Sequence, residues 1–392
     1  MDLRSIPDRV RAINPSGLLR QAARTGNVKV TLSLLGPALR GLVLRGGREP
    51  QTVMKAAHDV RFDWTYTRDK PELTKLYEAA KRTQWNATTD IDWSREVDPY
   101  NPAHELFPEH ELPIAQFKPY LKLSHRERQT RRWALTSWML SQFLHGEQAA
   151  LFAACQVTEA IDWMDGKLYG STQVVDEGRH VEVFHRYLET KLCKSYRVND
   201  NLFTLIDALV SDSRWDIKFL GMQIMVEGLA LGAFGILRQT TREPLLRQLL
   251  RYVITDEARH VHYGVLALKD YYREIPEKDR REREDWAFEV AVLMRNRFLA
   301  HEFYDEYFSH ALSRKAWEEM VLRSPYMERF RRMMFKRLIP NLKRINLLSD
   351  RIRPHYASLG LLDFEHAQAA TELTADQIIA ETDRQLPRTD LM

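Results

Sequence analysis

DEGRHV at residues 176–181 recurs, with one substitution, as DEARHV at residues 256–261. Both copies lie in segments whose apolar residues recur at steps of three and four, which predicts α-helices. On a helix, a glutamate and a histidine three residues apart lie on one face, so both side chains can reach the same ion. The repeat therefore predicts two helices that each present one glutamate and one histidine.

Two further glutamates, Glu147 and Glu227, lie within apolar helical stripes, where an ionised carboxylate is costly unless it is paired or binds a metal. Each precedes the glutamate of a repeat by 30 residues. A helical hairpin that turns halfway, near residues 162 and 242, brings each such pair to the same level. Turn-forming sequence occurs at both midpoints: Gly166 follows the first, and Thr241 offers a hydroxyl cap before Pro244 at the second.

The four helices together predict a cluster of four carboxylates and two imidazoles at one level. Such a cluster would repel itself unless two divalent or trivalent cations neutralised it. Oxygen and nitrogen ligands suit iron or manganese, and the absence of paired cysteines disfavours structural zinc and iron–sulfur clusters. The candidate ligands are Glu147, Glu177, His180, Glu227, Glu257 and His260.

A third Glu-x-x-His pair, Glu182 and His185, has the same spacing. It starts five residues after Glu177, which rotates it away from the ligand face by roughly 140°. We interpret this pair as a chance match on the flank of the helix.

One glutamate from each of two helices, with Glu-x-x-His from each of the other two, is the pattern of di-metal carboxylate bundles. On these motifs, residues 125–275 resemble the ferritin-like di-iron oxidase and oxygenase superfamily. That superfamily includes monooxygenase hydroxylases, ribonucleotide reductase small subunits, acyl carrier protein desaturases and arylamine N-oxygenases. The resemblance implies an all-α fold: a ferritin-like four-helix bundle with a di-metal centre at residues 125–275, an N-terminal helical and loop extension at residues 1–124, and a C-terminal helical extension at residues 276–392 that packs on the core.

The resemblance also implies how the ligands are shared between the metals. Glu147, Glu177 and His180 would hold one, and the other three ligands the second, with one or two glutamates bridging. The implied cofactor is two iron ions, with a manganese–iron pair as the alternative.

Aspartates and arginines flank both histidines. Asp176 and Asp256 each lie four residues before the histidine of their own helix and could orient it, with Arg179 and Arg259 holding the aspartates. Plain surface salt bridges are an equally good interpretation of these four residues.

Three positions depart from the patterns of particular relatives. Phe184 stands where reductase small subunits carry a radical tyrosine, which rules out such a radical there. Leu231 stands where monooxygenase hydroxylases usually have threonine, and Val253 stands where arylamine N-oxygenases carry an additional histidine ligand. The last departure argues against the arylamine N-oxygenases.

We expect a dioxygen-dependent di-iron monooxygenase or oxidase that hydroxylates or N-oxygenates a small hydrophobic or aromatic molecule. A fatty-acyl desaturase-like oxidase is one alternative, and non-catalytic iron storage or peroxide scavenging is another. Storage proteins are usually compact, whereas extensions of about 120 residues on each side suit a substrate pocket or a docking surface. The sequence has no flavin, nicotinamide or iron–sulfur motif, so we expect a separate reductase or ferredoxin-like electron donor.

The composition of the chain indicates which partners and which cellular compartment to expect. Its 392 residues carry 58 Lys and Arg against 54 Asp and Glu, a net charge of +4, which gives no support to nucleic-acid binding. Two cysteines 38 residues apart predict no disulfide framework. Because residues 1–7 do not resemble an export signal and no long uncharged apolar stretch was apparent, we expect a cytoplasmic protein without a membrane span. A homodimer is a further prediction.

Overall fold

The computed structural model describes residues 24–115 and 117–383, and this part of the chain contains helices and no strand. The longer helices are α1 Val28–Ala38, α2 Pro71–Arg82, α3 His125–Ala160, α4 Met164–Tyr187, α5 Asp200–Ser211, α6 Trp215–Thr240, α7 Pro244–Leu268, α8 Glu277–Arg297, α9 Arg314–Arg323, α10 Pro325–Arg344 and α11 Ala375–Asp383. Shorter helices are Lys118–Leu121, Tyr271–Glu274, His301–Tyr307 and Arg353–Ala357. The N-terminal segment that we compared with export signals lies outside the described residues.

Helices α3, α4, α6 and α7 form the four-helix bundle as two hairpins. Helix α3 begins with a capping box, in which the Glu127 amide donates to the Ser124 hydroxyl and the Ser124 amide donates to the Glu127 carboxylate. The turns occupy residues 161–163 and 241–243, at the two predicted midpoints. The prediction of an all-α, ferritin-like bundle is confirmed.

The cap of α7 differs from the prediction. Its N-terminus is capped by the carboxylate of Glu243, which accepts from the amides of Leu245 at 2.8 Å and Leu246 at 2.6 Å. The Thr241 hydroxyl instead accepts from the Glu243 amide at 3.2 Å. A carboxylate at this position also interacts favourably with the positive end of the helix dipole.

The residues on either side of the bundle share its hydrophobic core. Buried apolar side chains run from Val30 on α1 to Ile379 on α11 as one continuous cluster. Helix α2 packs on α4 and α7, and α10 packs on α6. The division at residues 124 and 276 stays a prediction, since the extensions and the bundle are joined through this common core.

Helix α6 is the most apolar helix of the bundle. It is long and apolar enough to cross a membrane, but 89% of its apolar window is buried inside the protein. The core helix of a globular protein meets the same criterion of length and composition. The apolar segment of this helix extends on both sides of Glu227, which interrupts it with a charge.

Candidate metal centre

The six predicted ligands come together in the middle of the bundle, and every one of them is at most 4% exposed. Helices α3 and α6 contribute one glutamate each, and α4 and α7 contribute Glu-x-x-His. Their ligand atoms form two overlapping groups, each with all atoms within 4.8 Å of one another. Glu147 and His180 belong to the first group and Glu227 and His260 to the second, whereas Glu177 and Glu257 belong to both: the groups are Glu147, Glu177, His180 and Glu257, and Glu177, Glu227, Glu257 and His260.

The two shared glutamates are arranged almost symmetrically between the histidines. Glu177 places Oε2 3.4 Å from His180 Nδ1 and Oε1 3.0 Å from His260 Nδ1. Glu257 places Oε1 3.3 Å from His180 Nδ1 and Oε2 3.4 Å from His260 Nδ1. Each shared carboxylate therefore directs one oxygen towards each histidine, as a bridging ligand would.

Several of these ligand atoms have no hydrogen-bond partner. They are Oε2 of Glu177, Glu227 and Glu257, and Nδ1 of His260. Buried polar atoms in proteins almost always have a hydrogen-bond partner, so four such atoms without one in a single cluster indicate that a bound group belongs there. All four atoms carry lone pairs that can bind a cation, so the residues fit a pair of metal ions.

The electrostatics of the cluster agree with this interpretation. Burial, and then the nearby Glu257 carboxylate, raise the pKa of Glu147 and of Glu227 well above the usual range. Burial alone would lower the pKa of His180, but the surrounding carboxylates, Asp256 first, raise it well above its usual value. Without metal the cluster therefore holds protons, which a metal would displace.

The aspartates orient the histidines across the bundle rather than along their own helices. His180 Nε2 on α4 lies 3.2 Å from Asp256 Oδ2 on α7, and His260 Nε2 on α7 lies 3.2 Å from Asp176 Oδ2 on α4. Our prediction that each aspartate orients the histidine of its own helix was wrong. Carboxylates in these positions fix the tautomer that leaves Nδ1 free for a metal.

Two buried arginines hold the aspartates, so the alternative of surface salt bridges is excluded. Arg179 pairs with Asp176 of its own helix and lies 3.4 Å from Asp256 Oδ2. Arg259 pairs with Asp256 of its own helix and lies 3.4 Å from Asp176 Oδ2. Each arginine thereby links α4 to α7 behind the histidines.

Two residues of the N-terminal extension also hold these aspartates, a contact that the sequence analysis missed. Trp85 Nε1 donates to Asp256 Oδ2 at 2.7 Å, and Gln84 Nε2 donates to Asp176 Oδ1 at 3.2 Å. The Arg179 guanidinium lies over the Trp85 ring at 4.9 Å. Only the aromatic character of residues 84–94 marked this segment in the sequence, and nothing there indicated its partners.

Gln173 is the second residue that sequence reasoning missed. Its side-chain amide donates to Glu227 Oε1 at 2.9 Å and to Glu177 Oε1 at 3.2 Å, so it positions two ligands on different helices. Gln173 lies one turn before Glu177, a spacing that could have identified it. The corresponding residue before Glu257 is Val253, which is fully buried and offers no ligand.

A wide helical turn sets the position of Glu227. Residues Leu220–Val226 of α6 are π-helical, and Glu227 follows directly. A π turn adds one residue to the helical repeat and changes which residues face the bundle after it.

The third Glu-x-x-His pair, Glu182 and His185, lies away from the cluster as predicted, and the His185 side chain is 63% exposed.

The space beside the cluster is aromatic. The Phe143 ring contacts those of Phe234 at 4.7 Å and Phe184 at 6.1 Å, and all three residues are buried. Phe184 is the residue at the position of the reductase radical tyrosine. These three rings therefore pack against one another in the core, on three of the helices that carry the ligands.

A four-helix bundle with this buried carboxylate and histidine set defines a ferritin-like di-metal oxidase or oxygenase. The family model of the P-aminobenzoate N-oxygenase AurF matches residues 67–346, more than half of the chain. The chain therefore belongs to the AurF family. Our sequence argument against this family, that Val253 stands in place of an additional histidine ligand, was wrong. It is a dioxygen-dependent di-metal oxidoreductase, and its expected cofactor, two iron ions or a manganese–iron pair, is confirmed.

Solved structures with a similar arrangement are R2-like ligand-binding oxidases. A point mutant with an aerobically reconstituted Mn/Fe cofactor is 20% identical at a TM-score of 0.47, over 70% of this chain and 94% of that chain. A second mutant, reconstituted anaerobically, is 21% identical at a TM-score of 0.43, over 70% of this chain and 94% of that chain. Comparison with curated proteins gave no significant match.

Proposed function

We propose that the protein uses dioxygen to N-oxygenate a small aromatic amine, with ring hydroxylation as the alternative outcome at the same site. The observation that carries the proposal is the buried, nearly symmetric set of four glutamates and two histidines in a chain of the AurF family. The family description names p-aminobenzoate, which makes an arylamine the first substrate class to test. The buried aromatic rings of Phe143, Phe184 and Phe234, which pack together on three of the ligand-bearing helices, would give such a ring an aromatic environment.

In this proposal Glu147 and His180 would hold one metal and Glu227 and His260 the other, and Glu177 and Glu257, which belong to both ligand groups, would serve both. Two bound irons would supply the activation of dioxygen. The chain's own residues hold that chemistry in place. Asp256 and Asp176 keep the histidine protons on Nε2, and Gln173 fixes two glutamates.

The proposal also includes the source of the electrons and the cellular compartment of the protein. The sequence contains no motif for a redox cofactor besides the metal centre, so a separate reductase or ferredoxin-like protein would reduce it. Both cysteines are free thiols, which suits a reducing compartment such as the cytoplasm. A homodimer stays a prediction.

The test begins with metal content. Protein loaded anaerobically with iron(II) should hold two irons per chain by elemental analysis, and its optical spectrum should change when dioxygen is admitted. With a chemical reductant, 4-aminobenzoate and ¹⁸O-labelled dioxygen, mass spectrometry should find a product that carries the label. Many irons per chain with a growing ferric mineral would instead mean iron storage and overturn the proposal.

The ligand assignment has a matched control in the chain itself. Glu177→Ala and His260→Ala should each lose at least one iron and the labelled product. Glu182→Ala and His185→Ala change a pair with the same Glu-x-x-His spacing that lies away from the cluster, and both should keep two irons. Full metal content in the first two variants would refute the assignment.

A further inference from the structure

Helix α1 carries a row of apolar side chains on the side that faces away from the protein. The buried residues of α1 are Val30, Leu34 and Pro37, which lie on its inner side. Four other large apolar residues, which we call the outer row, are 51–70% exposed: Val28, Leu32, Leu35 and Leu39. At about 100° per residue the outer row spans roughly 60° of the helix surface, opposite the buried residues.

The outer row has no part in the core. The inner side of α1 already packs on α5 and α8. Leu39 directly follows α1 and keeps helical backbone angles, so all four side chains point the same way. Single exposed apolar residues are common on protein surfaces, whereas a continuous row of them marks a site of contact. This side of α1 is therefore an interaction surface.

The sequence around the outer row is basic throughout. From Arg9 to Arg48 it contains eight basic residues and no aspartate or glutamate. Three of the eight form ion pairs with acidic residues of α5 and α8: Lys29 with Glu282, Arg40 with Asp207 and Arg45 with Asp200. Arg24 and Arg48 are exposed, and the other three lie outside the described residues. This excess of positive charge favours an anionic partner.

Two of the basic side chains flank the outer row. Lys29 and Arg40 both lie about 100° around the helix from the middle of the row, on the same side of it. Both side chains are at least half exposed. A helix that presents apolar side chains outward, with basic side chains beside them, is typical of helices that lie in the interface of a membrane.

A second copy of the chain suits this surface less well. A stable interface between proteins takes about 20–30 residues from each side, whereas the outer row provides four apolar side chains. Two facing copies of α1 would bring basic residues together, and α1 has no acidic residue that could pair with them. A membrane needs no matching surface, because a few inserted apolar side chains and attraction to anionic headgroups suffice for reversible binding.

We propose that α1 binds to the surface of a membrane that contains anionic lipids, with the outer row inserted between the lipid headgroups. The protein would lie on the membrane while its most apolar helix, α6, stays buried in the bundle. Binding of this kind needs no substrate, metal or dioxygen. It can therefore be tested whether or not the proposed function is correct.

The experiment is co-sedimentation of the full chain with lipid vesicles. Vesicles of phosphatidylcholine and phosphatidylglycerol should bind the protein at least about 5-fold more tightly than vesicles of phosphatidylcholine alone. Added salt should weaken the binding, because it screens the attraction to the anionic headgroups. The double variant Leu32→Ser, Leu35→Ser should bind the anionic vesicles roughly 10- to 100-fold more weakly, because it loses two inserted leucines.

Leu121→Ser is the matched control. Leu121 is 52% exposed, as Leu35 is, but it lies outside the basic stretch. Its replacement should leave binding to both kinds of vesicle unchanged. The double variant should keep the melting temperature of the wild type, because the side chains that it removes lie opposite the core.

Several results would overturn the proposal. Equal binding to both kinds of vesicle, or equal binding by the double variant and the wild type, would show that the basic stretch or the outer row is not used. No binding to either vesicle would mean that something else covers the row. Sedimentation and thermal unfolding then identify it: a dimer that the double variant dissociates means a second copy, and a lower melting temperature of the double variant means residues 1–23 of the same chain.

Discussion

Replacement of Gly232 by alanine should push two helices of the protein apart. Gly232 lies on α6, five residues after the predicted ligand Glu227. A Cβ at this position would lie 2.6 Å from Met334 Cα and 2.8 Å from Met333 O, both on α10. Ordinary contacts of a Cβ begin at 3.4 Å. The obstructing atoms are backbone, so no side-chain rotation can relieve the overlap.

Two opposing effects set the size of the change. Alanine is favoured over glycine inside a helix by about 1 kcal/mol. Overpacking in a close-packed core costs about 1–3 kcal/mol, and a clash with helix backbone belongs at the upper end of that range. The free energy of unfolding should therefore fall by roughly 1–2 kcal/mol, which for a chain of 392 residues corresponds to a fall in melting temperature of about 1–2.5 °C.

Gly178→Ala is the matched control. Gly178 also lies inside a bundle helix next to a predicted ligand, but a Cβ there meets nothing within 4 Å. Only the helix-propensity effect applies, so this variant should gain up to about 1 kcal/mol. Urea unfolding of both variants, metal-free and with iron(II), gives the two free energies. If Gly232→Ala proved as stable as Gly178→Ala, the contact between α6 and α10 would be wrong.

Three further predictions follow from the site and the core. A Glu147→Ala background should keep only the metal held by His260. In this background Asp176→Asn should weaken iron(II) binding about 10- to 100-fold in a chelator competition, and Asp256→Asn should leave it unchanged. The opposite result would mean that each aspartate orients the histidine of its own helix. Iron(II) should raise the melting temperature and a chelator should reverse the change, because bound metal stabilises the folded state, and an unchanged temperature would contradict the buried centre. Burial lowers the pKa of Lys218 to about 8, so its charged form destabilises the fold fully below pH 8 and progressively less as the pH rises towards about 10.4, its value in unfolded chains. The stability advantage of Lys218→Met over the wild type, measured by urea unfolding, should therefore shrink by up to about 3 kcal/mol between pH 7 and pH 10.5, and an advantage that does not change with pH would refute this account.

Much of the fold could be predicted because the repeat in this sequence is regular. Equal spacings of 30 residues between Glu147 and Glu177, and between Glu227 and Glu257, placed both turns correctly. The helical period also removed His185 from the candidate ligands. The geometry of one helix, or of a hairpin with two arms of equal length, depends only on residues that are near in sequence. It can therefore be predicted from a single sequence.

The family assignment shows a limit of arguing from one position. Val253, at the place of an additional histidine ligand, argued against the arylamine N-oxygenases, yet the match over residues 67–346 shows that the chain belongs to that family. A single ligand position can vary while the residues that form the bundle keep their pattern. The six-residue set on the four helices was the more reliable signal.

The sequence by itself determined the helices, the hairpins and the six residues that meet in the bundle, because each follows from local periodicity and spacing. Only the tertiary structure decided what surrounds them: that Asp256 orients His180 across the bundle, and that Trp85 from the N-terminal extension holds this aspartate. These contacts join residues 76 to 171 positions apart. Their partners are chosen by how the helices pack against one another, and helix periodicity carries no information about that packing.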